Sequence, residues 1–169
     1  MSESVDDDAL LMFDLAKYAF LRLDGAWFLA TSDRFGVEIA TELDVCAWEM
    51  FSERLGKRIM ATFNLGEDFT EVFPVVVKLQ NRVMNMQSEV TVVAPGHAIL
   101  RVVDCEVWKM VSKVWDSETA PCYKVTQASI RGLLRGVFPD LEFEITQNQL
   151  IPKGDPCCEV EIKLKEVGE

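Results

Sequence analysis

The period of the hydrophobic residues changes once along this chain, at Met86, and that change limits the folds open to it. Before it, apolar side chains recur every three or four residues; after it, they alternate with polar ones. The first spacing lines one side of a helix and the second lines one face of a strand. A helical half is therefore expected over residues 1–86 and a strand-rich half over 87–169, together forming a single domain over 1–169.

Three helices are expected in the first half. Leu10, Phe13, Phe20 and Trp27 mark one from Asp6 to about Thr31, with Asp6, Asp7 and Asp8 at its positive end and a bend allowed at Gly25. Ile39, Leu43, Cys46, Met50, Leu55, Ile59 and Phe63 form a stripe on a second, from Val37 to Phe63, ending around Asn64 to Gly66. A third spans about Asp68 to Met86, with Pro74 either in its first turns or at its true start.

In the second half, Glu89–Ala94 and Ala98–Val103 are β-branched runs separated by Pro95 and Gly96, a hairpin signature. Glu106–Val114 fits either an extension of the second strand or a short helix. Ser117, Thr119 and Pro121 announce a helix carrying Val125, Ile130, Leu133, Leu134 and Val137, which should stop near Gly136 and Pro139. Leu141, Phe143 and Ile145, and then Cys158, Val160, Ile162 and Leu164, alternate with polar residues on either side of a turn at 152–156, which makes a second hairpin. The expected architecture is α+β: N-terminal helices packed on an antiparallel ββαββ unit, with one sheet face covered and the other polar.

Charge narrows the partners. The formal net charge is −11, and acidic side chains outnumber basic ones in both halves. Nucleic acid and anionic membrane surfaces both draw on clustered Lys and Arg, so neither is expected. No run approaches the roughly 20 apolar residues of a membrane span, and the acidic start, Met1 to Asp8, does not resemble a signal peptide, so a cytoplasmic location is expected. Five cysteines, an odd number in a chain this long, point to reduced thiols.

The segment Ala120 to Leu164 carries Pro121-Cys122 at a helix start, small residues Ala128, Gly132 and Gly136 within the helix, and Gly154-Asp155-Pro156-Cys157-Cys158-Glu159-Val160 entering the last strand. This resembles the vinyl-4-reductase-like domain and the related L-2-amino-thiazoline-4-carboxylic acid hydrolase-like group, whose Gly…Cys-x-hydrophobic signature is matched by Cys158 and Val160. Leu23-Asp24-Gly25-Ala26-Trp27-Phe28 and Glu42-Leu43-Asp44…Trp48 resemble members of the wider group without an assigned function. The resemblance covers about a quarter of the chain. It implies a fold like the ligand-binding domains of vinyl-4-reductase and of transport-complex subunits that hold an acyl chain. The hydrolase name would be carried over by fold alone.

Residues able to carry chemistry are few. Cys122 falls in the first turn of its helix, where the dipole favours a thiolate, and is the best candidate nucleophile; the alternative is a small buried hydrophobe. Cys158 should face the core with Val160 and Ile162, and Cys157 the opposite way. Cys122, Cys157 and Cys158 are the best set for zinc, yet they lack Cys-x-x-Cys spacing and His97 is the one imidazole available, so no metal or other cofactor is expected. His97 reads as a solvated turn residue. Glu38 with Glu42 and Glu49 with Glu53 share helix faces, which reads as a solvated acidic surface because the Glu-x-x-His partners of a di-metal bundle are missing. Trp27 and Trp48, each near an acidic residue, suit a pocket wall or a subunit interface.

No phosphate loop, dinucleotide fingerprint, Gly-x-Ser-x-Gly elbow or His-Glu-x-x-His helix occurs. The leading expectation is a binding or sensor domain for a small, apolar or acyl-type molecule, with Trp27, Trp48, Cys122 and Cys158 as ligand-binding residues and a homodimer formed by the helical half. The alternatives are a cysteine-dependent hydrolase acting through Cys122, and a structural homodimer without a ligand.

Overall fold

The computed structural model of the chain describes residues 3–113 and 121–165. Helix α1 (Glu3–Phe35) begins earlier than the Asp6 start expected and runs through Gly25 without interruption. Gly36 alone separates it from α2 (Val37–Phe63); its φ of 88° lies in the left-handed region, which a glycine adopts without steric cost. Asn64 closes α2 in a left-handed conformation. In α3 (Phe69–Val83) the Asp68 carboxylate accepts from the Glu71 N–H at 3.1 Å, and Pro74 is accommodated inside the helix.

Strands β1 (Met86–Ala94) and β2 (His97–Cys105) form the first hairpin, with Pro95 and Gly96 at its tip. The ambiguous segment resolves as a short helix, α4 (Glu106–Val111). Helix α5 (Cys122–Val137) follows; the expected start signature at Ser117 and Thr119 lies outside the described residues. Strand β3 (Phe143–Gln149), a single 3₁₀ turn (Ile151–Lys153) and β4 (Cys158–Leu164) complete the chain. The four strands are antiparallel in the order β1-β2-β4-β3, so the two hairpins join through β2 and β4.

Alternation along the strands separates two faces. Ala98, Leu100, Val102, Val160 and Ile162 point inward, where α3 delivers Phe73 and Val76 and α5 delivers Ile130, Leu133 and Leu134. On the opposite face Arg101 pairs with Glu159 at 2.7 Å and Glu161 with His97 at 2.8 Å. His97 is thus the first residue of β2, tied to a strand neighbour, which corrects its reading as a solvated turn residue. Phe69 stacks on Phe73 at 4.9 Å and on Phe143 at 5.4 Å, closing one end of the core.

Helix α2 packs on α5 through small residues. A Cβ on Gly132 would run into the Glu49 backbone carbonyl and one on Gly136 into that of Glu53, so the two backbones lie in contact. The same stretch is pinned by ion pairs from Arg131 and Arg135 to Glu49 and from Arg135 to Glu53. Glu49 and Glu53 therefore clasp α5, whereas Glu38 and Glu42 remain the solvated acidic residues expected. Helix α1 rests on α2 largely through Phe20, which meets Trp48 edge-on at 5.9 Å and Phe51 at 5.2 Å.

Candidate functional site

Where the helical layer meets the inner sheet face, packing is incomplete and leaves a cavity of about 500 Å³. Its floor is the sheet, with Leu100, Val102 and Val160; α5 supplies Val125, Ile130 and Leu133; α4 adds Val107 and Trp108; α1 and α2 roof it with Leu21, Phe28 and Trp48. The wall is overwhelmingly apolar. Pockets of this size and character are where small molecules are usually held.

Helical spacing explains how polar groups reach this wall. Asp44, Trp48 and Ser52 are four residues apart and so share one face of α2; Phe20 and Asp24 stand in the same relation on α1. The Phe20–Trp48 contact brings the two faces together, and Asp24 and Asp44 both open on the cavity. Burial pushes the Asp24 carboxyl up to about 6, opposed by hydrogen bonding with the Trp48 side chain. Burial, reinforced by the charge of Asp24, pushes Asp44 up to about 7, again opposed by Trp48. A carboxylate in an apolar wall loses its hydration, and two of them side by side repel.

Deeper in, Gln80 of α3 donates to Ser52 at 3.2 Å and to Ser129 at 2.7 Å, and the two hydroxyls are 2.9 Å apart. This buried triad links α2, α3 and α5, with Gln80 and Ser129 lining the cavity. It leaves Gln80 Oε1 without a partner.

The expected site residues divide. Trp48, 6% exposed, and the thiols Cys122 and Cys158 all line the cavity. Trp27 does not: it is 68% exposed on the outer side of α1. Cys157 is buried away from the cavity, its thiol donating to Gln149 at 3.1 Å. Among the described residues no three His, Cys, Asp or Glu side chains are grouped so as to hold a metal.

Cys122 does begin α5, but the expectation that the helix start favours its thiolate fails. Burial pushes the thiol up to about 12, with the nearby Cys105, Cys158 and Asp44 adding to the rise. A dipole contribution of about 1 kcal/mol at a helix end does not offset desolvation in an apolar wall. Cys158 is likewise pushed up by burial, to about 11. His97, paired with Glu161, is absent from the cavity wall, so Cys122 has no imidazole to take its proton.

Sequence reasoning missed Asp24, Asp44, Gln80 and Ser129. The four-residue ladder through Asp44, Trp48 and Ser52 was a usable signal, because acidic and hydroxyl groups on the stripe of a large aromatic are unusual for a helix face that meets only hydrocarbon.

The sequence pattern of DUF6125, a family of unknown function, matches residues 2–150. The chain belongs to that family. No curated protein matches it. Solved structures resemble this family member in fold. A trafficking protein particle complex subunit 3 from Naegleria fowleri, covalently bound to palmitic acid, is 14% identical, with a TM-score of 0.64 over 90% of this chain and 97% of its own. The phenol-responsive sensory domain of the transcription activator PoxR, with phenol, is 14% identical, with a TM-score of 0.61 over 88% of this chain and 76% of its own. An H-NOX domain mutant from Shewanella oneidensis in the Fe(II)CO ligation state is 14% identical, with a TM-score of 0.53 over 89% and 76%. At this identity the likenesses establish the fold: helices followed by a four-stranded antiparallel sheet, shared with sensory and ligand-holding domains. Among the described residues no helix is long and apolar enough to cross a membrane.

Proposed function

We propose that this DUF6125 member is a small-molecule binding or sensor domain that holds a largely apolar ligand between its helical layer and its sheet. The observation that carries the reading is the cavity of about 500 Å³, apolar on most of its wall and built by residues from both halves of the chain. Two structural neighbours, one with palmitic acid and one with phenol, support it by their fold. A hydrolase acting through Cys122 is disfavoured by a thiol pushed up to about 12 with no imidazole beside it. The full chain should raise the fluorescence of pyrene, a neutral hydrocarbon probe, and native mass spectrometry of protein purified from its source should show an added mass. Thr126→Phe, which pushes an aromatic ring into the cavity, should abolish both while leaving the helical circular dichroism intact. Absence of any pyrene response in the unaltered chain would reject the binding reading.

A specific observation favours a homodimer as well. Much of the exposed surface is apolar, including Leu10, Met12, Tyr18, Leu23 and Trp27 on α1 and Leu43 and Met50 on α2. A second copy covering α1 and the outer side of α2 accounts for it. Sedimentation should give a dimer at micromolar concentration, and Leu23→Glu combined with Trp27→Glu should give a monomer that still binds pyrene. A monomeric unaltered chain would overturn the dimer and leave the cavity reading untouched.

A further inference from the structure

Two acids without an ion-pair partner among the described residues stand on the cavity wall. They are Asp24 on α1 and Asp44 on α2, close enough for the charge of one to act on the other. Gln80 on α3, 4% exposed, lines the same wall and leaves its buried Oε1 without a partner. The cations at the cavity, Arg22 and Lys113, are exposed at its rim, and Arg22 lies over the Tyr18 ring instead of reaching inward. The interior thus presents two neighbouring acids and, on the same wall, a glutamine whose buried oxygen has no partner, in an apolar surround with no inward cation among the described residues.

Ligand chemistry follows from what would satisfy this arrangement. A hydroxyl donates one hydrogen bond and removes no charge. A carboxylate adds a third anion. A protonated amine brings three donors and the positive charge that two desolvated carboxylates lack. We propose that the cavity binds an amphipathic organic amine, its ammonium held between Asp24 and Asp44 beside the Trp48 indole and its apolar body against Leu100, Leu133 and Val160. This rests on the binding reading above and names the ligand class for it.

Three probes with one apolar body and different heads test it by calorimetry: 2-phenylethylamine, 2-phenylethanol and 3-phenylpropanoate. At pH 8 the amine should bind about tenfold or more tighter than the alcohol, and the carboxylate most weakly, as opposite and like charges in a low-dielectric site require. Between pH 8 and 5.5 the amine should lose about fivefold or more as the two carboxylates take up protons, while the alcohol stays level. Among the other groups on the wall, the thiols of Cys105, Cys122 and Cys158 are all raised by burial and stay protonated over that range. The double variant Asp24→Asn, Asp44→Asn should abolish the preference for the amine and its pH dependence while keeping the alcohol; should that variant fail to fold, the pH series on the unaltered chain decides alone. Alcohol binding as tight as amine binding, tighter binding of the carboxylate, or an amine affinity indifferent to pH would overturn the inference. Binding of pyrene without any of the three would also overturn it while sparing the cavity. Failure of pyrene and all three would remove both.

Discussion

Two regions of this molecule use the same residue types to opposite ends. Between α3, α5 and the sheet, Phe69, Phe73, Phe138 and Phe143 pack ring on ring, and Phe73 and Val76 have no exposed surface. On α1 and the outer side of α2, Leu10, Leu23, Trp27 and Met50 are more than half exposed. The difference is one of partners: the inner aromatics find theirs within the chain, whereas α1, joined to α2 through Gly36 and seated on Phe20, has most of its apolar length left over. The cavity lies at the boundary of the two regimes, where close packing from the sheet side meets looser packing from the helical side.

The sharpest tests of the contrast fall in the closely packed inner region. Phe73→Ala should cost about 3–5 kcal/mol, the usual penalty for emptying an aromatic site in a packed core, and chemical denaturation would measure it. Gly132→Ala should come next, at about 2 kcal/mol or more after the better helix propensity of alanine is allowed for, because the added carbon meets the Glu49 backbone instead of a yielding side chain. A cost under about 0.5 kcal/mol at either position would mean that the inner region is as loosely assembled as the outer one.

Thiol reactivity compares the regions by rate. Cys46 is exposed on α2, while Cys122 and Cys158 face the cavity with thiols pushed up to about 12 and about 11. In the Leu23→Glu, Trp27→Glu monomer, iodoacetamide at neutral pH should label Cys46 about a hundredfold or more faster than either, since reactivity follows thiolate fraction and access. Early labelling of Cys122 would restore the nucleophile that its burial takes away.

Much of the fold was legible before any coordinates, because a period of 3.6 or 2 survives whatever the tertiary contacts turn out to be. The span of α2 and the alternation of β4 appear where the sequence puts them, but the stripe read on α2 is mostly exposed, at Ile39, Leu43, Met50 and Phe63, and the buried side carries Ala40, Trp48, Ser52, Gly56 and Ile59. The errors sit where local signals compete. Leu141 continued the alternation of β3 on paper, but its N–H bonds back to the Phe138 carbonyl at 3.1 Å, so it closes the turn after α5 and the strand starts at Phe143. That strand then runs on to Gln149, through polar residues that look like loop; Gln147 is held by donating to the Glu159 carbonyl at 3.0 Å. The candidate site was half legible. Cys158 sits on the apolar alternation of β4 and could be placed by period, and Trp48 stood out as a large aromatic near an acid, whereas Asp24 and Asp44 matter only because Phe20 carries α1 onto Trp48, a contact between helices that spacing within each cannot reveal.

The boundary itself should respond to pH. The carboxyls of Asp24 and Asp44 are raised from 3.8 to about 6 and about 7. A raised acid stabilises the fold below its unfolded value and loses that contribution as pH climbs through its folded value, so these two groups favour the fold at pH 4 and cease to between about 6 and 7. The melting temperature of Asp24→Asn, Asp44→Asn relative to the unaltered chain should therefore rise from pH 5 to pH 8, with a gain on the order of 2 kcal/mol at the upper end after allowing for water in the cavity. A difference that stays flat with pH would place both carboxyls in ordinary solvent. The smallest effect belongs to Trp27→Ala, which should change the unfolding free energy of the monomer by no more than about 0.5 kcal/mol. A larger loss would show that the outer layer carries packing of its own.

The backbone contact of α5 with α2 at Gly132 and Gly136 also bears on inheritance. Two helices touching through carbonyls and Cα atoms fix their spacing without the help of large side chains, so residues around the cavity such as Leu21, Val125 and Thr126 are free to be exchanged while the frame stays put. A lineage built this way can change its guest by point substitution and keep its architecture.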